Sequence, residues 1–153
     1  MKTAQEAANI TVAQRQHWMQ VLARAGRQLH PFGQVLRHQS YQRIRPAEVG
    51  MVMVRGRTGG SGAPFNLGEM TVTRCVVQLD DGQHGHSYVA GRDKEHAELA
   101  ALADAHLQSQ QHQHWMDTLI TPLAHQQLAD LASREAASAA TQVEFVTLVR
   151  GED

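Results

Sequence analysis

At 153 residues the chain has the length of one domain, and 42% hydrophobic content supplies a core, but seven aromatics mean that Leu, Val, Met and Ala must build most of it. Fourteen Lys and Arg against 15 Asp and Glu, a net charge of −1, exclude the global basic excess that draws a protein to nucleic acid or membranes, and no run of about 18 apolar residues argues for a membrane span. The lone Cys75 excludes an intrachain disulfide and a multi-thiolate metal site, and its apolar strand context makes it a buried, inert thiol.

Residues 1–10 are small and polar and are expected to be frayed. Thr11-Val-Ala-Gln14 then reads as a capping box before Trp18, Val21, Leu22, Ala25 and Leu29, whose spacing predicts a first helix. Gly26 and Pro31 interrupt it, and Leu29, Phe32, Val35 and Leu36 suggest a short second helix. From Tyr41 to Gly91 the period changes to two. Tyr41–Arg45, Gly50–Arg57, Glu69–Leu79 and His86–Ala90 are the expected strands, separated by Pro46, a glycine loop and Asp80-Asp81-Gly82, and their succession implies an antiparallel meander. Asp93 is placed to cap a helix from Lys94 to about Gln110, with Glu95 and Glu98 near the positive end of its dipole. Thr121-Pro122 opens another helix to about Ala139, and Val143–Val149, apolar on both faces, predicts a last strand inside the sheet. The whole reads as one α+β domain over residues 1–153, a mainly antiparallel sheet of about five strands with N-terminal helices and two helices before the C-terminal strand. The N-terminus lacks an apolar signal core, so a soluble, cytoplasmic protein is expected.

Charge is unevenly placed. Residues 1–94 hold 12 basic and 6 acidic groups, net +6, whereas residues 95–153 hold 2 and 9, net −7, an asymmetry suited to surfaces that meet partners of different sign. Twelve of the 14 basic residues are arginine, which favours bidentate contacts to phosphate or carboxylate, although genomic base composition produces the same bias.

The segment Met51-Val-Met-Val-Arg55-Gly56-Arg57-Thr58-Gly59-Gly60-Ser61-Gly62 carries the strongest binding signal. Its alternation places Met51, Met53, Arg55 and Arg57 on one strand face, and Gly59, Gly60 and Gly62 allow positive φ and exposed N–H groups, the ingredients of an anion-cradling nest. It is not a phosphate-binding Walker loop, since no Lys-Ser/Thr follows, and a flexible link between two strands would use the same glycines. Arg74 interrupts the run Met70, Val72, Val76 and needs a partner: Glu69, Glu48 or Glu144 within the chain, or an anion or subunit outside it. Gly91-Arg92-Asp93-Lys94-Glu95-His96, at a strand-to-helix junction, is a second candidate anion contact, and equally a capped helix start with solvated charges.

Ten histidines raise the question of a metal, with His84 and His86 on one strand face and His112 and His114 close together. Nothing supplies a third ligand at diagnostic spacing, so no metal is assigned. Neither a Gly-x-Ser-x-Gly elbow nor a Cys/His nucleophile arrangement is present, and the catalytic residues stay unassigned.

The order of these motifs resembles the PhnG family, the G subunits of the bacterial carbon–phosphorus lyase system. The likeness runs through Arg15-Gln-His-Trp-Met19, Glu48-Val-Gly50, Arg57-Thr-Gly-Gly-Ser-Gly62, Phe65, Gly68, Thr71-Val-Thr-Arg74, Gly91-Arg-Asp-Lys-Glu-His-Ala-Glu98, Thr118-Leu-Ile-Thr-Pro-Leu123 and Val149-Arg-Gly151, nearly the whole chain. The resemblance implies a subunit of a synthase in which G, H and I, helped by an ATP-binding-cassette-like L protein, join methylphosphonate to ATP with loss of adenine, giving α-D-ribose 1-methylphosphonate 5-triphosphate, which a radical J subunit later cleaves. It implies PhnI, PhnH and PhnJ as core partners, PhnL and PhnK as ATP-binding-cassette-like partners, and ATP as a co-substrate of the complex with no cofactor in this subunit. It assigns the nucleosidase chemistry mainly to the I subunit and leaves this chain an accessory role or a purely structural one. The matched Arg57, Gly59, Gly60, Gly62, Arg74, Arg92, Lys94 and His96, with the adjacent Arg55, become candidates for phosphate binding or subunit contact. The family pattern does not call for His84 or His86.

Overall fold

The computed structural model describes residues 10–141. The expected strand Val143–Val149 and nearly all of the N-terminal stretch lie outside the described residues. Helix α1 spans Val12–Ala25 and opens on the expected capping box, with the Gln14 N–H donating to Thr11 Oγ1 at 3.2 Å and the Thr11 N–H to Gln14 Oε1 at 2.9 Å. Its stripe Trp18, Val21, Leu22, Ala25 is buried. Gly26, at φ 54°, ends the helix, and a 3₁₀ segment Gly26–Phe32 containing Pro31 leads into the single turn α2, Gly33–Leu36.

Three antiparallel strands follow in the order β1-β2-β3: β1 Tyr41–Arg57, β2 Pro64–Leu79 and β3 His84–Ala90. The meander is as the alternation indicates, but the described sheet has three strands, not about five. Tyr41–Arg45 and Gly50–Arg57 are one strand, because the chain crosses Pro46 through irregularities in the ladder, between Arg43 and Arg45 and between Arg45 and Glu48, instead of turning. Proline is tolerated there because β1 is an edge strand, where one side of the backbone has no ladder to donate to.

Helix α3, Lys94–Leu107, starts where expected, with Asp93 Oδ1 accepting the His96 N–H at 2.9 Å. It is the centre of the molecule: from His96 to Leu107 every residue but Glu98 is buried, with β2 and β3 on one side and α1, the 3₁₀ segment and α2 around it. Such close seating depends on Gly85, since a Cβ there would lie 1.8 Å from the Ala101 carbonyl oxygen and 2.8 Å from the Ala105 nitrogen. The chain then stays helical from α4, His112–Trp115, through a π turn at Met116–Ile120 into α5, Thr121–Ala140. Thr121-Pro122 opens α5 as expected, with the proline in its first turn, although no break separates α5 from the helical turns before it. The widened turn, in which the Thr121 N–H reaches back five residues to Met116, precedes a proline that would otherwise break the ladder.

Part of the charge asymmetry is resolved within the chain. Arg15 pairs with Asp104 at 2.8 Å, Arg37 with Glu95 at 3.5 Å and Arg43 with Glu98 at 2.8 Å, each joining the basic half to the acidic half.

Candidate functional site

The third strand and α3 support β2 only as far as Val72, which pairs with Ala90. Beyond that point β1 and β2 continue as a two-stranded ribbon, from Met51 opposite Thr71 to Arg57 opposite Pro64. Seven residues at about 3.4 Å each give an arm about 24 Å long. Arg55 and Arg57 stand exposed near its tip, and no carboxylate pairs with either among the described residues. The tip is a 3₁₀ turn, Thr58–Gly60, in which Gly59 (φ 60°) and Gly60 (φ 78°) hold backbone that other residues rarely adopt. Gly62 is needed for a different reason: its N–H bonds the Thr58 carbonyl at 3.0 Å, and a Cβ would fall 2.6 Å from that oxygen. Arg57 folds back to donate from Nη1 to the Gly62 carbonyl at 3.3 Å, so it braces the loop with part of its guanidinium and leaves the remaining donors outward.

Arg92 and Lys94 are exposed at the foot of the arm, where the Gly91 N–H donates to the Thr71 carbonyl at 2.9 Å and Gly91 sits at φ 95°. Since Arg57 lies six residues beyond Met51, the register partner of Thr71, tip and foot are about 20 Å apart along the strand. The structure thus does not gather the arginines into one cradle. It makes two separate cationic points, one at the tip of the arm and one at its foot.

Arg74 belongs to neither. It lies half exposed on the sheet face away from α3, its Nε donating to Glu48 Oε1 at 2.8 Å, and hydrogen bonds to Glu48 and then to Tyr88 raise its pKa. Among the described residues Glu48 is the carboxylate that pairs with it, brought opposite by the ladder, while Glu144 lies outside them. His96 is buried, with Nε2 2.8 Å from the Leu22 carbonyl and 3.3 Å from the Gly26 nitrogen, and acts as a clasp between α3 and the end of α1. His84 and His86 face outward from β3, and among the described residues no three His, Cys, Asp or Glu side chains lie close enough to hold a metal ion.

Two polar nodes escaped the sequence reading. Asp104, fully buried, accepts from Arg15 Nε (3.2 Å) and Nη2 (2.8 Å), Trp18 Nε1 (2.8 Å) and the His86 N–H (2.9 Å), fastening α1 and β3 to α3. An aspartate inside an alanine- and leucine-rich helix was the available signal. Glu98 accepts from Tyr41 and Arg43; burial pushes its pKa up, but those hydrogen bonds and the nearby guanidinium charge outweigh it and hold the carboxyl below its ordinary value. Beside this node Cys75 is fully buried, and burial with the Glu98 charge pushes its thiol up to about 11, so it is an inert thiol as expected.

Comparison with known proteins places this architecture. The family described as "Phosphonate metabolism protein PhnG" matches residues 13–151, which include all but the first residue of α1, the arm, its glycine tip and α3. The chain belongs to the PhnG family. It is 41% identical over 155 residues to the "Alpha-D-ribose 1-methylphosphonate 5-triphosphate synthase subunit PhnG" of Rhizobium meliloti (strain 1021), a match covering 100% of this chain and 99% of that relative. Phosphonate metabolism and a place in a multi-subunit synthase are therefore the context in which this PhnG-family chain is to be understood. Among the described residues no helix is long and apolar enough to cross a membrane.

Proposed function

We propose that the chain is an accessory subunit of the carbon–phosphorus lyase core complex in the cytoplasm, supporting transfer of the ribose 5-triphosphate moiety of ATP to methylphosphonate with release of adenine. Substitution at the ribose anomeric carbon requires a held polyanion, an oriented nucleophile and help for the departing base. This chain contributes to the first two tasks with Arg55, Arg57 and the N–H groups of Gly59, Gly60 and Gly62 at the arm tip, and with Arg92 and Lys94 at its foot, while PhnI carries the nucleosidase chemistry and PhnH, PhnJ, PhnL and PhnK complete the assembly. The observation that carries the reading is the projecting cationic tip on a chain matched end to end with a synthase subunit. The scaffold reading draws on a different observation, the exposed apolar side chains along the same arm.

Reconstitution of the complex with Arg57→Ala separates the two. A site role predicts an intact assembly with ATP-dependent turnover lowered about ten-fold or more, from loss of about 1.5–3 kcal/mol in charged hydrogen bonding. Dissociation of the assembly would favour the scaffold. Turnover changed by less than about two-fold in an intact assembly, or a reaction indifferent to omission of the whole chain, would rule out the site role.

A further inference from the structure

Resting on the reading of this chain as one subunit of a larger assembly, we propose that the cleft between α1 and β3 receives an extended, uncharged, apolar segment of a non-identical subunit, which joins the sheet as a fourth strand along Tyr88–Ala90. The register decides which backbone groups are on offer. At the two ends of the β2–β3 pairing, the Gly91 N–H donates to the Thr71 carbonyl and the Leu79 N–H to the Gln83 carbonyl, both at 2.9 Å, so the odd-numbered residues of β3 carry the bonds to β2. The backbone of His84, His86, Tyr88 and Ala90 therefore points to the open edge. Side chains from α3 and its C-cap close the first half of that edge: Asp104 Oδ2 accepts the His86 N–H at 2.9 Å, and Gln108 Nε2 donates to the His84 carbonyl at 2.8 Å. Such capping is how edge strands avoid joining other chains. Over the second half, no group among the described residues takes the N–H or carbonyl of Tyr88 or Ala90.

That open half borders the place where α1 and β3 part. Between them lies a cleft of about 430 Å³ whose walls include Met19, Leu22, Ala23, Ala100 and the half-exposed Tyr88, with no Lys, Arg, Asp or Glu in its lining. Free N–H and carbonyl groups beside an apolar cleft are the combination that accepts an added strand: the backbone bonds hold it, and the cleft reads alternate side chains. The residue set against Tyr88 lies on the Tyr88 face of the sheet, and its two neighbours turn toward Met19, Ala23 and Ala100. Met19 is an adaptable wall for them. A charged side chain entering there would find no partner, so the lining selects an apolar segment.

The fold selects among three occupants. The chain's own C-terminal residues depart from α5 on the wrong flank of α1. Gln127 Nε2 donates to the Val21 carbonyl at 2.9 Å and Arg24 borders the groove on α5, whereas Met19 and Ala23 stand about 160° from Val21 around the helix. A second copy's β3 cannot fill the cleft, because its inward side chains, Ser87 and Val89, are already buried under its own α3. A second copy's arm entering the cleft would build a ring or filament of one chain, not the mixed assembly on which the proposal rests. A segment of a different polypeptide fits the cleft, and it leaves Arg55, Arg57, Arg92 and Lys94 free to hold the polyanion.

The test uses the full chain alone and assembled with PhnI, PhnH and PhnJ. Residue-resolved hydrogen exchange of the lone chain should alternate, with the Ser87 and Val89 amides slow and the Tyr88 and Ala90 amides fast; in the complex the fast pair should slow at least about a hundred-fold. Ala90→Pro removes an outward N–H and leaves the β2 ladder intact, and Ala23→Glu puts a charge into the cleft. Both lone variants should melt like wild type, while affinity for the co-subunits falls about ten-fold for the first and about a hundred-fold for the second. Tyr88 and Ala90 amides that stay fast inside the assembled particle, or unchanged affinity of either variant, would overturn the proposal and leave the subunit reading standing. So would protection of these amides in the lone chain, whether it vanishes on dilution, as for a second copy, or on deletion of residues 142–153, as for the chain's own end. A wild-type chain that never joins the co-subunits would refute the subunit reading itself and the proposal with it.

Discussion

Replacing Asp104 by alanine should destabilise the chain by about 3–5 kcal/mol, the usual cost of breaking a buried ion pair from one side. The structure supports that figure group by group. Trp18 is fully buried, so its indole N–H loses a 2.8 Å bond with no water to replace it, at about 1–3 kcal/mol. The His86 N–H, on the sheet edge, regains water in part, while Arg15, a third exposed, swings to solvent and loses two charged hydrogen bonds. Against a total stability of about 5–15 kcal/mol this is a large share, and at this length it corresponds to a fall in Tm of about 6–20 °C. Asp104→Asn keeps the shape but turns an NH₂ group toward one of these donors, so it should recover only part of the loss. Equilibrium urea unfolding followed by the fluorescence of Trp18 and Trp115, both buried, measures the effect. A loss below about 1 kcal/mol for the alanine variant, or wild-type stability for the asparagine one, would show that Asp104 does not fasten α1 and β3 to α3.

Gly85→Ala should cost more than about 4 kcal/mol or prevent folding, because the new methyl group meets backbone of α3 and not a movable side chain; a melting temperature near wild type would contradict the seating of α3 on β3. Gly60→Val has open space around it, so its cost of about 1–2 kcal/mol is purely conformational, read as local hydrogen exchange at the tip, and a variant with unaltered exchange would remove the case for a shaped loop. Cys75, raised from 9.0 to about 11, contributes stability below pH 9 that is lost as pH rises toward 11; Cys75→Val should flatten that alkaline limb, and the native thiol should stay silent to a disulfide reagent at pH 8 until the chain unfolds. Glu98 has the opposite sign: its pKa is lowered in the folded chain, so its contribution is present above the ordinary 4.5 and disappears as pH falls through the folded value, and Glu98→Gln should shrink the loss of stability on acidification.

The candidate site was legible residue by residue but not as an arrangement. Arg57 and the glycines stand at one turn because they are neighbours in sequence, whereas the roughly 20 Å between them and Arg92 and Lys94 depends on how far β1 and β2 outrun β3. Arg74 was correctly marked as needing a partner, but Glu48 became that partner only through ladder irregularities around Pro46 that alternation does not report. His96 reads from sequence as a helix-start residue at a surface junction, and packing of α1 over α3 puts its ring inside.

Features governed by a few adjacent residues were settled along the chain itself: the Thr11 and Asp93 caps, the stop at Gly26, the change of period at Tyr41, the tight turn at Asp80-Asp81-Gly82. Their energetics close within one turn or one strand pair, so local spacing suffices. Tertiary contact decided what joins residues far apart: Asp104 with Arg15 across 89 positions, Glu98 with Arg43 across 55, and the exposed apolar arm beside a covered body. Met51 to Arg57 and Thr73 to Leu79 show the same two-residue alternation, and only the reach of α3 and β3 makes one of them core and leaves the other bare.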